Sequence, residues 1–213
     1  MRIWARTRQA ELCVSVSILA SIIVVLSGQS NIPIPQLTAS AAGSLPIALF
    51  VPLLVALVVA YSLSRTTSDS EAISVRPLDS FDTILAIFAG VSFAVIIGIA
   101  SFAWPEQQPL GLAATRNLAG FIGLVLIARH WLSAEVAAVP AVLWALSAAM
   151  VGAGQDQVPR WWAWPIAGST SYSWIFVTVL ALLGIVTGTM SFASPSFLHV
   201  VACRLSSERH KSN

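Results

Sequence analysis

Residues 83–104 read TILAIFAGVSFAVIIGIASFAW, with no Asp, Glu, Lys, Arg or His among them. A helix rising about 1.5 Å per residue over this run is long enough to cross the roughly 30 Å hydrocarbon core of a bilayer. It has no polar face to offer water. The stretch is therefore expected to be a membrane-spanning helix, Thr83–Trp104. Five comparable segments flank it: Leu12–Gly28, Ala41–Ser64, Leu112–Trp131, Val136–Ala153 and Tyr172–Ala193. The expected fold class is all-α, a polytopic membrane helical bundle of six transmembrane helices.

The composition of the whole chain agrees. Only 9% of the 213 residues are charged, and 57% are hydrophobic. An ordinary soluble domain carries about a quarter charged residues, so this chain lacks the charge to cover a water-facing surface. Disorder is excluded by the same excess of apolar side chain. A net charge of +2 gives no electrostatic footprint for nucleic acid. Cys13 and Cys203 have neither metal-ligand nor redox spacing.

The few charges are placed asymmetrically. Arg2, Arg6, Arg8, Arg65, Arg76, Arg129, Arg204, Arg209 and Lys211 fall on one side of the expected spans, and Arg116 and Arg160 on the other. The positive-inside rule then places both termini in the cytoplasm, N-in and C-in, for a chain in the plasma membrane. The alternative for the first span is a cleaved signal peptide, with Ala39-Ser40-Ala41 as the cleavage site. That site lies beyond Pro33 and Pro35 and far from the apolar core.

Helices in lipid associate through close packing of small residues. Gly90, Ala94 and Gly98 share one face of the third span, Ala141, Ala145 and Ala149 one face of the fifth, and Gly184 and Gly188 form a GxxxG pair in the sixth. Intrachain packing is the expected use of these faces. Pro52 is expected to kink the second span.

The spans carry almost no ionisable groups, which argues against a proton relay. Arg116 is expected near the outer end of the fourth span, snorkelling to the headgroups, with Glu106 as its partner across the outer interface. Asp69, Asp79, Asp82 and Asp156 all fall in expected loops, so no intramembrane aspartyl pair is offered. His130, His199 and His210 are scattered and lack zinc-ligand spacing. The serines lack a neighbouring base and are expected to bond to helix carbonyls. No phosphate-binding glycine loop is present. No catalytic constellation, metal site or cofactor site is read from the chain, and the expectation is that it is not an enzyme.

Three segments outside the spans are informative. The cytoplasmic loop Arg65–Asp82, RTTSDSEAISVRPLDSFD, holds Asp69, Glu71, Arg76, Asp79 and Asp82 and is expected to include a short polar helix ending at Pro77. The external loop Gly154–Ser171 contains PRWWAWPIAGSTS, in which Arg160, Trp161, Trp162 and Trp164 form a segment expected to lie in the outer interface against membrane lipid. The first residues, MRIWARTRQAEL, suit a basic interfacial helix. The chain thus divides into an interfacial segment at 1–11, a transmembrane domain at 12–193 and a cytoplasmic tail at 194–213.

In this layout, with MRIWARTRQAEL, the Arg65–Asp82 loop and the Trp-rich Gly154–Ser171 loop as the matching pieces, the chain resembles the membrane subunit of an ABC-2 (type V exporter-like) ABC transporter. TRNLAGFIGLVLIARHWL followed by PRWWAWP also resembles small actinobacterial membrane proteins of the ABC permease kind. The resemblance implies six spans, an interfacial N-terminal helix, and a re-entrant external segment between the fifth and sixth spans. It also implies a cytoplasmic helix between the second and third spans that docks on separate ABC ATPase subunits. A second permease chain, the same or different, would complete the pathway. The alternative is a non-transporting membrane scaffold, immunity or assembly factor.

Overall fold

The computed structural model describes residues 9–27, 30–34, 37, 43–65, 78–154, 158–168 and 171–189. Within them lie six helices: α1 (Ala10–Ser27), α2 (Val51–Ser64), α3 (Leu78–Ala103), α4 (Gln108–Trp131), α5 (Val139–Val151) and α6 (Ser171–Thr189). Short 3-10 turns, Ile47–Leu49 and Pro105–Gln107, lead into α2 and α4. Five of these helical segments are long and apolar enough to cross a membrane. The expectations for residues 1–8 and 190–213, and for Asp69, Glu71, Arg76 and Asp156, lie outside the described residues.

Proline sets where several helices begin. Pro52, Pro109 and Pro140 all stand in the first turn of their helices. The missing N–H is harmless there, because the first turn has no intrahelical acceptor for it. The kink expected at Pro52 is therefore corrected: Pro52 starts α2 rather than bending it. Between Ser30 and Pro46 no described residue is helical. Asn31–Ile34 (β1) and Gly43–Pro46 (β2) pair antiparallel, with Asn31 opposite Pro46 and Ile34 opposite Gly43. This small ribbon, with Pro33 and Pro46 in its strands, was not expected from the sequence.

Helix α5 is the short one, at 13 residues. At 1.5 Å per residue it spans about 20 Å, less than the hydrocarbon core. The chain then turns back: Ala153 pairs with Pro159, and the Arg160 N–H donates to the Gly152 carbonyl at 2.8 Å. Residues 163–167 are all buried although none of them is helical.

Helix α4 is the centre of the bundle and packs against α1, α2, α3, α5 and α6. Its closest neighbour is α6. A Cβ on Gly123 would lie 2.7 Å from the Leu180 carbonyl oxygen, and one on Gly184 would lie 2.7 Å from the Gly123 carbonyl oxygen. The two backbones touch, which only glycine allows. Gly188 instead lies against side chains, those of Thr83 and Leu126. The expected intrachain role of Gly184 and Gly188 is what the fold uses, as is that of the buried Ala141, Ala145 and Ala149. Gly98 is different, since nothing lies within 4 Å of a Cβ built on it.

Several hydroxyls in the spans bond to their own helices. Ser17 donates to the Cys13 carbonyl at 2.8 Å, Ser21 to Ser17 at 2.7 Å, Ser101 to Ile97 at 2.8 Å and Thr115 to Gly111 at 3.0 Å. Each satisfies its hydroxyl one turn back, as apolar surroundings require.

Candidate functional site

Arg116 is completely buried, two turns into the central helix α4, and its neighbour Asn117 is equally buried. Its guanidinium donates from Nη2 to the carbonyl oxygens of Trp164 at 2.7 Å and Ala167 at 2.8 Å. From Nη1 it donates to the Gly168 carbonyl at 2.7 Å and the Ser173 hydroxyl at 2.6 Å. Nε and Nη2 both reach Oδ1 of Asn117, at 3.3 and 3.0 Å. The amide nitrogen of Asn117 then donates to the carbonyls of Pro165 at 2.7 Å and Leu49 at 3.1 Å.

The chemistry explains why these two residue types stand here. Residues 163–168 carry buried backbone that makes no helical ladder, and each unpaired carbonyl inside an apolar bundle costs about 1–3 kcal/mol. A guanidinium supplies five donors in a fixed planar fork. Arg116 spends them on three carbonyls of one segment, on the Asn117 side chain and on Ser173 at the start of α6. Asn117 extends the clamp to the turn that opens α2. Two adjacent residues of α4 thus tie the start of α2, the non-helical segment at 163–168 and the start of α6 together.

The segment is also held by shape. A Cβ on Gly120 would lie 2.5 Å from Cη2 of Trp164, so the indole occupies the space that Gly120 leaves on α4. Phe121 meets the same indole at a centroid distance of 5.0 Å. Trp162 packs edge-on against Trp144, which stacks on Phe176 of α6.

The site residues expected from the sequence sort differently in the fold. Arg160, Trp161, Trp162 and Trp164 do not share one environment: Trp164 is buried at 0% exposure, Trp162 is partly buried, and Trp161 is 78% exposed beside an exposed Arg160. The expected Glu106–Arg116 pair is not formed. Glu106 is exposed on its 3-10 turn, and the Arg116 donors all go to the segment, Asn117 and Ser173. The cause is register. α4 starts at Gln108, one turn before the expected Leu112, so Arg116 lies a turn deeper and faces the protein interior.

Asp82 is likewise corrected. It is not a loop residue offered to a partner; it lies in the second turn of α3, fully buried, with Oδ2 2.7 Å from Nη2 of Arg129 on α4. Asp79 stands in the first turn of the same helix. The spans are therefore not free of charge. The buried charges are matched instead, Arg116 by carbonyl dipoles and Asp82 by a cation.

Among the described residues, no three His, Cys, Asp or Glu side chains come together to hold a metal ion. The arrangement is a structural clamp, and its chemistry is to fix non-helical backbone inside a bundle. No protein-family model, no curated protein and no solved structure matches this chain.

Proposed function

We propose that this chain is a permease subunit of an ATP-driven exporter of the ABC-2 kind, six-span, with both termini in the cytoplasm of a bacterial plasma membrane. The single observation that carries the reading is the segment at 163–168, folded back into the bundle between α5 and α6 and clamped by Arg116 and Asn117. The resemblance of the sequence implies a re-entrant external segment at this position. In this reading the loop between α2 and α3 docks on separate ATPase subunits, and a second permease chain completes the pathway. The engagement of Asp82 by Arg129 and of Arg116 by carbonyls fits a subunit driven from outside rather than by a titrating group of its own.

The test is co-purification from the native membrane in mild detergent with an identified ABC ATPase whose hydrolysis the chain stimulates. Docking is probed at Asp69, Glu71 and Arg76 and not at Asp82, whose loss would break the α3–α4 ion pair. Reversing the charge of those three residues is expected to abolish stimulation and leave the melting temperature unchanged. Absence of any ATPase across several mild detergents sinks the reading. Orientation is tested with a cysteine at Ser70 in a variant lacking Cys13 and Cys203. It should resist an impermeant thiol reagent added to intact cells.

A second reading, a non-transporting scaffold, immunity or assembly factor, is supported by how tightly the segment at 163–168 is packed on α4. Trp164 and Phe121 are each 0% exposed. Normal folding together with no ATPase stimulation favours it.

A further inference from the structure

Helices α3, α4 and α6 do not close on one another along their whole length. Between them lies an apolar groove of about 230 Å³, walled by Ala86, Gly90 and Ala94 of α3 and by Thr115, Ala119 and Gly123 of α4, with Ile185 of α6 at its edge. Each wall triplet repeats every four residues and so runs along one helix face for about 12 Å. The same faces continue to Asp82 and Arg129, which stand one turn beyond Ala86 and Leu126, and their 2.7 Å ion pair joins the two helices there. Gly188 of α6 against Thr83 of α3 joins the third helix at the same level.

We propose that this groove is a binding site for the hydrocarbon chain of a membrane phospholipid. Water does not suit it: among the described residues the sole polar side chain in its walls is Thr115, whose hydroxyl already donates to the Gly111 carbonyl, and an apolar cavity of even roughly 150 Å³ stays dry and takes up hydrocarbon. A second copy related by a two-fold axis does not suit it either. Such an interface sets the same patch against itself, and a concavity facing a concavity buries little. Hydrocarbon fits by continuity. The α3 rim, Ile87 and Val91, passes directly into the exposed Ile84, Phe88 and Val95 of the lipid-facing side of a helix long and apolar enough to cross the bilayer. The groove is thus an inlet of the lipid-facing surface, deep enough for a slender chain and closed at one end by charge. The small residues of its α3 wall leave this room. The groove depends only on the bundle lying in a bilayer, not on the exporter reading.

The experiment uses the full chain in lipid nanodiscs doped with a phospholipid carrying a photoactivatable diazirine midway along one acyl chain. After irradiation, peptide mapping is expected to find label on the groove walls at least fivefold above that on the exposed faces of α1 and α6. The Gly90→Leu variant fills the groove: a Cβ there meets only Ile122 Cδ1, at 3.5 Å, so the substitution is expected to fold. It should lower groove labelling at least fivefold, while Gly98→Leu, one turn past the groove's last wall residue Ala94 and with nothing within 4 Å of its Cβ, should leave it unchanged. Label spread evenly over the lipid-facing surfaces overturns the proposal, as does chain-to-chain crosslinking through Gly90 and Ala94. If Gly90→Leu does not fold, the label distribution on the wild-type chain decides alone.

Discussion

Nη2 of Arg116 stands 2.7 Å from the carbonyl oxygen of Trp164, a cation and a backbone dipole brought together inside an apolar bundle across 48 residues of sequence. Neither group would be tolerable there without the other. The carbonyl belongs to buried backbone with no ladder to join, and among the described residues no carboxylate pairs with the guanidinium. Their union lets a non-helical segment lie where α5 is too short to fill the space.

Replacing Arg116 therefore strands the carbonyls of Trp164, Ala167 and Gly168 together. With each unsatisfied acceptor costing about 1–3 kcal/mol, Arg116→Ala should be more damaging than an ordinary surface change by several kcal/mol. Arg116→Lys keeps the charge but presents three donors from one point rather than a planar fork, so it should recover only part of the loss. Thermal melting of the purified protein in detergent should rank wild type above Lys and Lys above Ala. Equal midpoints for all three would mean the clamp bears no load.

Gly120 and Trp164 make a separate prediction by shape. Even Gly120→Ala places a methyl 2.5 Å from the indole, and Gly120→Leu must displace it. Overpacking of this kind costs about 1–3 kcal/mol. Trp164→Ala costs about 3–5 kcal/mol through the cavity it leaves. In the double variant the leucine enters space the indole has vacated, so the loss should fall short of the sum by more than about 0.5 kcal/mol. Strict additivity, read from the same melting experiment, would separate the two residues.

Asp82 and Arg129 join α3 to α4 through one short contact between a fully buried carboxylate and a largely buried guanidinium. Removing one partner leaves an uncompensated charge, at a cost of about 3–5 kcal/mol. Asp82→Asn and Arg129→Gln should each lower the melting temperature, whereas the double variant, with no charge left to bury, should regain much of the loss. A double variant worse than either single change would show that other partners outweigh the pair.

Much of this fold was legible in the sequence because lipid imposes a simple rule, that a span satisfy its backbone within a long, mostly apolar helix. Thr83–Trp104 obeys it, and its helix is found at Leu78–Ala103. The uses of Gly184, Gly188 and Ala145 were readable from spacing alone. What escaped the reading were residues whose roles depend on register or on partners far along the chain. Arg116 looked interfacial because the start of α4 was placed one turn late, and Asp82 looked like loop because α3 continues through the polar stretch Leu78–Asp82. The signal for the clamp was nonetheless present: an Arg-Asn pair inside an otherwise apolar helix is costly unless something nearby needs its donors. The ribbon of β1 and β2 had no such signal, since its prolines argue against strands.

The crossing of α4 and α6 gives the sharpest contrast between equivalent substitutions. Gly123 and Gly184 meet backbone to backbone, so an added Cβ on either finds carbonyl oxygen at 2.7 Å that no side-chain rotation can move. Gly98, on α3, meets nothing within 4 Å. Alanine at Gly123 or Gly184 must push the two helices apart, and the separation is transmitted to both ends of the contact, to Ser173 beside Arg116 and to Gly188 beside Thr83. Alanine at Gly98 should instead be neutral or slightly stabilising, because it lowers the freedom of the unfolded chain without meeting a neighbour. Paired cysteines placed on α4 and α6 would read this out: their crosslinking rate should change in Gly184→Ala and not in Gly98→Ala. An unchanged rate in Gly184→Ala would show that the helices cross elsewhere.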